Sequence, residues 1–69
     1  MTGLKALKKV RKGHKVRRTH WLKGEYVYQR LGTLDQHDEI VWAYDGKGFL
    51  LRRLVEATEF LHDDWNIYE

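Results

Sequence analysis

Arg17, Arg18, His20 and Trp21 fall within five consecutive positions, and Tyr26 and Tyr28 follow a few residues later. An Arg guanidinium is a planar fork of donors matched to phosphate oxygens. A Trp or Tyr ring offers a π-face on which a base stacks for about 1–3 kcal/mol. These types together are what a nucleotide site needs, with Arg17, Arg18 and His20 for phosphate and Trp21, Tyr26 or Tyr28 for a base. A Trp after a strand serves equally well to cover the edge of a core, so both roles stay open for Trp21. Trp65, in Asp63-Asp64-Trp65-Asn66, reads as a core residue because it enters a strand directly from a capping turn.

Patterns for catalysis are missing. Serine and cysteine are both absent, and neither a Gly-rich phosphate loop nor an HExxH motif occurs. His62 lies beside Asp63 and Asp64, but neighbours in a turn form such pairs by accident. His37 between Asp35 and Asp38 reads as a solvated turn, and the four His are too scattered for a structural zinc site. The expectation is a binding protein with no catalytic residues, no metal and no cofactor.

Charge is strongly segregated. The first 24 residues hold nine Lys and Arg and no acid, hence +9; the other 45 hold four Lys and Arg against ten Asp and Glu, hence −6, for a net +3. A cationic arm of this kind seeks anions, whether a nucleotide phosphate, a nucleic-acid backbone or the acidic half of a neighbouring protomer.

The elements that must carry these residues follow from periodicity. Thr2 is placed to cap a helix over about residues 3–12, with Leu4, Leu7 and Val10 along one stripe and Gly13 at its C-terminal end. After Gly13 the period changes to two: His14 to Thr19 reads as a first strand, and Leu22-Lys23-Gly24 as a turn. In the second strand, Glu25 to Leu31, Tyr26, Tyr28 and Arg30 share one face and Val27, Gln29 and Leu31 the other. Gly32 to Asp38 is a polar connection. A third strand, Glu39 to Tyr44, sets Ile40, Trp42 and Tyr44 against Val41 and Ala43. Asp45-Gly46 followed by Lys47-Gly48 signals a hairpin into a fourth strand, Phe49 to Leu54. Val55 to Asp63 has helical composition but room for one or two turns, and Trp65 to Tyr68 closes the sheet as a fifth strand. The fold class is α+β, one N-terminal helix on an antiparallel sheet of four to five strands.

Residues 1–69 make a single domain of marginal core, since a chain this short buries only about 60% of its unfolded surface. Both faces of the Glu39 to Leu54 hairpin are apolar, and one short helix covers only one face. A homo-oligomer is therefore expected, with the second face against another protomer. The opening residues lack the apolar stretch of a signal peptide and no apolar run nears membrane-spanning length, so a soluble, cytoplasmic protein is expected.

Two blocks of the sequence resemble a small phage family, the Thoeris anti-defence proteins of the second type, which act as signal-molecule sponges. The first block is Gly13-His14-Lys15-Val16-Arg17-Arg18, then Trp21, Gly24 and Tyr26-Val27-Tyr28. This is similar to the family's helix-ending Gly, its Lys-Val-Arg-Arg strand, and the Trp and Gly-containing turn before an aromatic strand. The second is Thr58-Glu59-Phe60-Leu61-His62-Asp63-Asp64-Trp65-Asn66-Ile67, beside the family pattern Thr-Asp-Leu-Leu-Ala-x-Asp-Trp-x-Val. The middle departs: Arg53-Leu54-Val55-Glu56 stands where the family carries a Trp and Pro-Ser. The resemblance implies a helix on an antiparallel sheet, assembled as a dimer or tetramer. It also implies pockets that hold cyclic ADP-ribose-type or cyclic-dinucleotide signals without cleaving them. A few relatives are CRISPR inhibitors, so the alternative is a phage inhibitor acting on a macromolecule, an anti-CRISPR or nucleic-acid-binding protein. The −6 carboxyl half argues against simple binding of a duplex.

Overall fold

The computed structural model describes residues 1–46 and 49–68, and its first element begins where the capping signal stands. Thr2 Oγ1 accepts the Lys5 N–H at 3.2 Å, opening helix α1 (Gly3–Arg11). Its end is a Schellman closure: Gly13 N donates to Val10 O at 3.0 Å and His14 N to Lys9 O at 3.1 Å. Gly13 adopts φ +98°, a left-handed conformation that other residues pay about 1–2 kcal/mol to enter.

Five strands follow: β1 (Val16–Arg18), β2 (Glu25–Arg30), β3 (Glu39–Gly46), β4 (Phe49–Leu54) and, after a short 3-10 helix (Ala57–Leu61), β5 (Trp65–Ile67). They form one antiparallel sheet in the order β4-β3-β2-β1-β5, so the last strand returns to lie beside the first. The fold is α+β, one N-terminal helix with a five-stranded antiparallel sheet. β1 is shorter than the His14 to Thr19 expected, because Trp21 N turns back to Arg18 O at 3.1 Å. Asp45 and Gly46, expected to make the hairpin turn, instead extend β3 and pair with Leu50 and Phe49. The expected turn residues Lys47 and Gly48 lie outside the described residues. The helical composition of Val55 to Asp63 yields only the 3-10 helix. Among the described residues no helix is long and apolar enough to cross a membrane.

The covered sheet face supplies Val16, Val27 and Trp65, which are fully buried with Ala6 and Val10 of α1; Ile40, Trp42, Val55, Phe60 and Trp21 pack around them. The helix therefore does not bury the expected Leu4–Leu7–Val10 stripe. Its buried residues are Gly3, Ala6 and Val10, whereas Leu7 is half-buried and Leu4 is 62% exposed. Small residues won because α1 lies very close to its neighbour: a Cβ on Gly3 would stand 1.8 Å from the Phe60 carbonyl oxygen.

Candidate functional site

The turn that carries Trp21 is held down from both sides. Asp64, entering β5, accepts at its carbonyl from the Thr19 N–H and the Thr19 hydroxyl, each at 2.8 Å, and Asn66 Nδ2 donates to that hydroxyl at 2.9 Å. Arg17 Nη2 donates to the Trp21 carbonyl and reaches that of Thr19 at 3.5 Å. Arg17 is thus spent on closing the turn. Arg18 is engaged as well: its guanidinium grips Asp64 bidentately at 2.9 and 3.3 Å and lies 3.5 Å from the Glu59 carboxylate. His20 Nδ1 meets the same Asp64 carboxylate at 3.3 Å. The hydrogen bond from Arg18 holds the Asp64 carboxyl below its ordinary range, and the same bond keeps Arg18 more firmly protonated than usual. The Asp–His pair that forms is His20 with Asp64, rather than the His62 pairing considered from sequence.

Against this clamp sits a slot of about 110 Å³ lined by Trp21, Trp42, Arg53, Val55, Glu56 and Glu59. Trp21 is half-buried, packed edge-on against Trp65 with ring centroids 5.4 Å apart at 76°. Trp65 in turn stacks on Phe60 at 5.1 Å and 14°, so the core aromatics set the position of the slot wall. Trp42 and Arg53 are register partners across β3 and β4, and the Arg53 guanidinium lies 4.8 Å from the Trp42 ring centroid. Val55 N donates to Ile40 O at 3.1 Å, which ties the start of the 3-10 helix to β3. Glu56 is the N-cap residue of that helix, yet its side chain makes no capping bond, leaving the carboxylate available at the rim. Two indoles, one guanidinium and two carboxylates give flat π-surface beside both donors and acceptors. Larger hollows, about 300 Å³ beside Gln36, His37 and Glu39 and about 310 Å³ beside Arg11, Gln29, Asp38 and Ile40, have no wall of this kind.

The six residues expected to form one cluster lie on two faces. Arg18, paired with Trp65, and Trp21 belong to the helix-covered side. Tyr26 and Tyr28 flank the buried Val27 and so point to the open side. There Tyr26 meets Tyr68 at 4.9 Å and Tyr28 at 5.8 Å, with the Lys15 ammonium 4.8 Å above its ring. Burial, and after it the charge of Asp45, pushes the Tyr26 hydroxyl pKa upward. Arg30 on this face is paired with Glu39. Strand alternation is the reason for the split, since odd and even positions of β1 and β2 cannot meet across the sheet.

Sequence reasoning placed Trp42 on one face of its strand with Ile40 and Tyr44, without saying which face is covered, and did not assign it, Arg53, Glu56 or Glu59 to a site. The available signal was the Trp42–Arg53 pairing, which follows once the hairpin loop is fixed at two residues. Asp38 closes the β2–β3 connection, accepting from Gly32 N at 2.7 Å and Gln29 Nε2 at 2.9 Å. Among the described residues no three His, Asp or Glu side chains gather to hold a metal ion.

Compared with protein-family models, with curated proteins and with solved structures, the chain finds no match in any of the three.

Proposed function

We propose that this protein is a non-enzymatic phage anti-defence sponge, binding a cyclic nucleotide immune signal of the cyclic ADP-ribose or cyclic dinucleotide type and sequestering it intact in the host cytoplasm. The observation that carries this reading is the slot, where the Trp21 indole offers a stacking surface and the Arg53 guanidinium, lying over Trp42, stands beside it for a phosphate. The resemblance of the Gly13 to Tyr28 and Thr58 to Ile67 blocks to the second-type Thoeris anti-defence family supports the same reading. Whole-ligand pockets run to about 300–1,000 Å³, so a slot of about 110 Å³ suits one base and leaves the rest of the ligand outside. A neighbouring protomer supplies the remaining wall in this proposal. It packs along the edge strand β4, beside Arg53, where Leu50, Leu51 and Leu54 are exposed. Arg18 and His20 act through Asp64 and Glu59, positioning the Trp21 turn rather than meeting phosphate directly.

Calorimetric titration with cyclic di- and trinucleotides and cyclised ADP-ribose isomers should give saturable binding for at least one of them, abolished by Trp21→Ala. A panel that gives no binding to the folded protein overturns the reading.

One observation favours a second reading, an inhibitor acting on nucleic acid or on a CRISPR effector. On the face away from the helix, Tyr28 and Tyr68 flank the buried Tyr26, over which the Lys15 ammonium lies, giving an aromatic, cationic strip. Salt separates the two. Affinity for a single-stranded oligonucleotide should collapse between low and physiological salt through counterion release, whereas a base held in the slot should respond far less.

A further inference from the structure

Within the nucleotide reading, on which this step rests, the slot has an edge chemistry that distinguishes one base from another. We infer that it selects guanine: the base stacks on the Trp21 indole, beside the Arg53 guanidinium that covers Trp42, and the Glu56 carboxylate accepts from its N1–H and exocyclic N2–H.

The two carboxylates at the slot are not equivalent. Glu59 lies 3.5 Å from the Arg18 guanidinium and belongs to the clamp around Asp64. The Glu56 carbonyl accepts from Glu59 N at 3.0 Å, but its side chain makes no hydrogen bond or ion pair among the described residues and does not cap the 3-10 helix that it begins. A free carboxylate is purely an acceptor, with two oxygens side by side. Guanine presents two parallel donors on its Watson–Crick edge, so one carboxylate satisfies both. Adenine offers one donor there beside the N1 lone pair, which a carboxylate repels. Hypoxanthine keeps N1–H but lacks the second donor.

Arg53 argues against the other ligand that an aromatic, acidic slot suggests, a methylated ammonium. Its guanidinium already occupies the cation–π position on Trp42 at 4.8 Å, and a second cation there would meet like charge. The same guanidinium suits a ligand that is neutral at its base and anionic at its phosphate.

The test is titration calorimetry of the wild-type protein at physiological salt with cyclic di-GMP, cyclic di-IMP, cyclic di-AMP and cyclised ADP-ribose, repeated with Glu56→Ala. A good bidentate base contact discriminates by about 1–3 kcal/mol, so cyclic di-GMP should bind about tenfold or more tighter than cyclic di-AMP, with cyclic di-IMP between them. Glu56→Ala, at an exposed position, should remain folded and narrow that gap. Equal or tighter binding of either adenine ligand sinks the guanine assignment while leaving the sponge reading intact. A gap unchanged in Glu56→Ala also sinks it, since some other group then reads the base. Failure of all four ligands to bind wild type counts against the nucleotide reading itself.

Discussion

Three residues divide the work of fold and site. Trp65 is fully buried, sandwiched by Phe60 and the edge of Trp21, and its indole N–H meets no acceptor among the described residues. Its contribution is therefore packing: Trp65→Ala should cost about 3–5 kcal/mol, while Trp65→Phe, which breaks no hydrogen bond, should cost distinctly less. Trp21 is only half-buried and meets Trp65 edge-to-face, a pair worth about 0.5–1.5 kcal/mol beyond the area it buries, so Trp21→Ala should cost less stability than Trp65→Ala yet lose ligand binding. Chemical denaturation of the three variants beside wild type checks the assignment, and a Trp21→Ala protein that fails to fold would mean the roles are exchanged. Asp64 is the third. Its folded-state pKa is depressed, chiefly by the hydrogen bond from Arg18, so the stability it lends is fully present above the ordinary carboxylate range and disappears as pH falls through the lowered value. A melting-temperature profile below about pH 4 should thus drop less steeply in Asp64→Asn than in wild type, from a lower plateau at neutral pH. Parallel profiles would show that the clamp is not what acid breaks.

At the scale of elements, the legible parts were those where one local rule acted alone. Strand alternation put Tyr26 and Tyr28 on one face of β2 and Ile40, Trp42 and Tyr44 on one face of β3, and the Thr2 cap and Gly13 closure bounded α1. The helix face was misread because Leu4 and Leu7 outweigh Ala6 on any hydropathy pattern, whereas packing against Phe60 rewards the smallest side chain. Gly3→Ala should therefore lower the melting temperature more than Leu4→Ala, by calorimetry, although alanine is the better helix former. The reverse order would place the leucine stripe against the sheet after all. The slot was not legible in the sequence for a tertiary reason. Arg17, Arg18 and Trp21 are neighbours in sequence, but Trp42 and Arg53 reach the slot only through the β3–β4 register, and Glu56 and Glu59 only through the fold of the chain after β4. The Asp45-Gly46-Lys47-Gly48 signal is compatible with more than one loop length and so does not determine that register, because each added residue moves Arg53 relative to Trp42.

For the whole molecule, the charge segregation is partly resolved within the chain, where Arg18 of the basic arm meets Asp64 and Glu59 of the acidic half. The cations of α1, Lys5, Lys8, Lys9, Arg11 and Lys12, remain at the exposed surface. With exposed leucines along β4 and an open face of tyrosines, the proposed homo-oligomer should appear in light scattering at micromolar concentration as a dimer or larger; a folded species of 8.3 kDa would contradict it. The proposed activity is capture without chemistry. It requires tight binding, on the order of 12 kcal/mol for a nanomolar dissociation constant, and no turnover. The most direct measurement is to incubate the protein with the signal identified by titration, remove free ligand, heat the complex until the protein denatures, and chromatograph what is released. Stoichiometric recovery of intact nucleotide is the predicted result, and a cleaved product accumulating with time and protein concentration would contradict it.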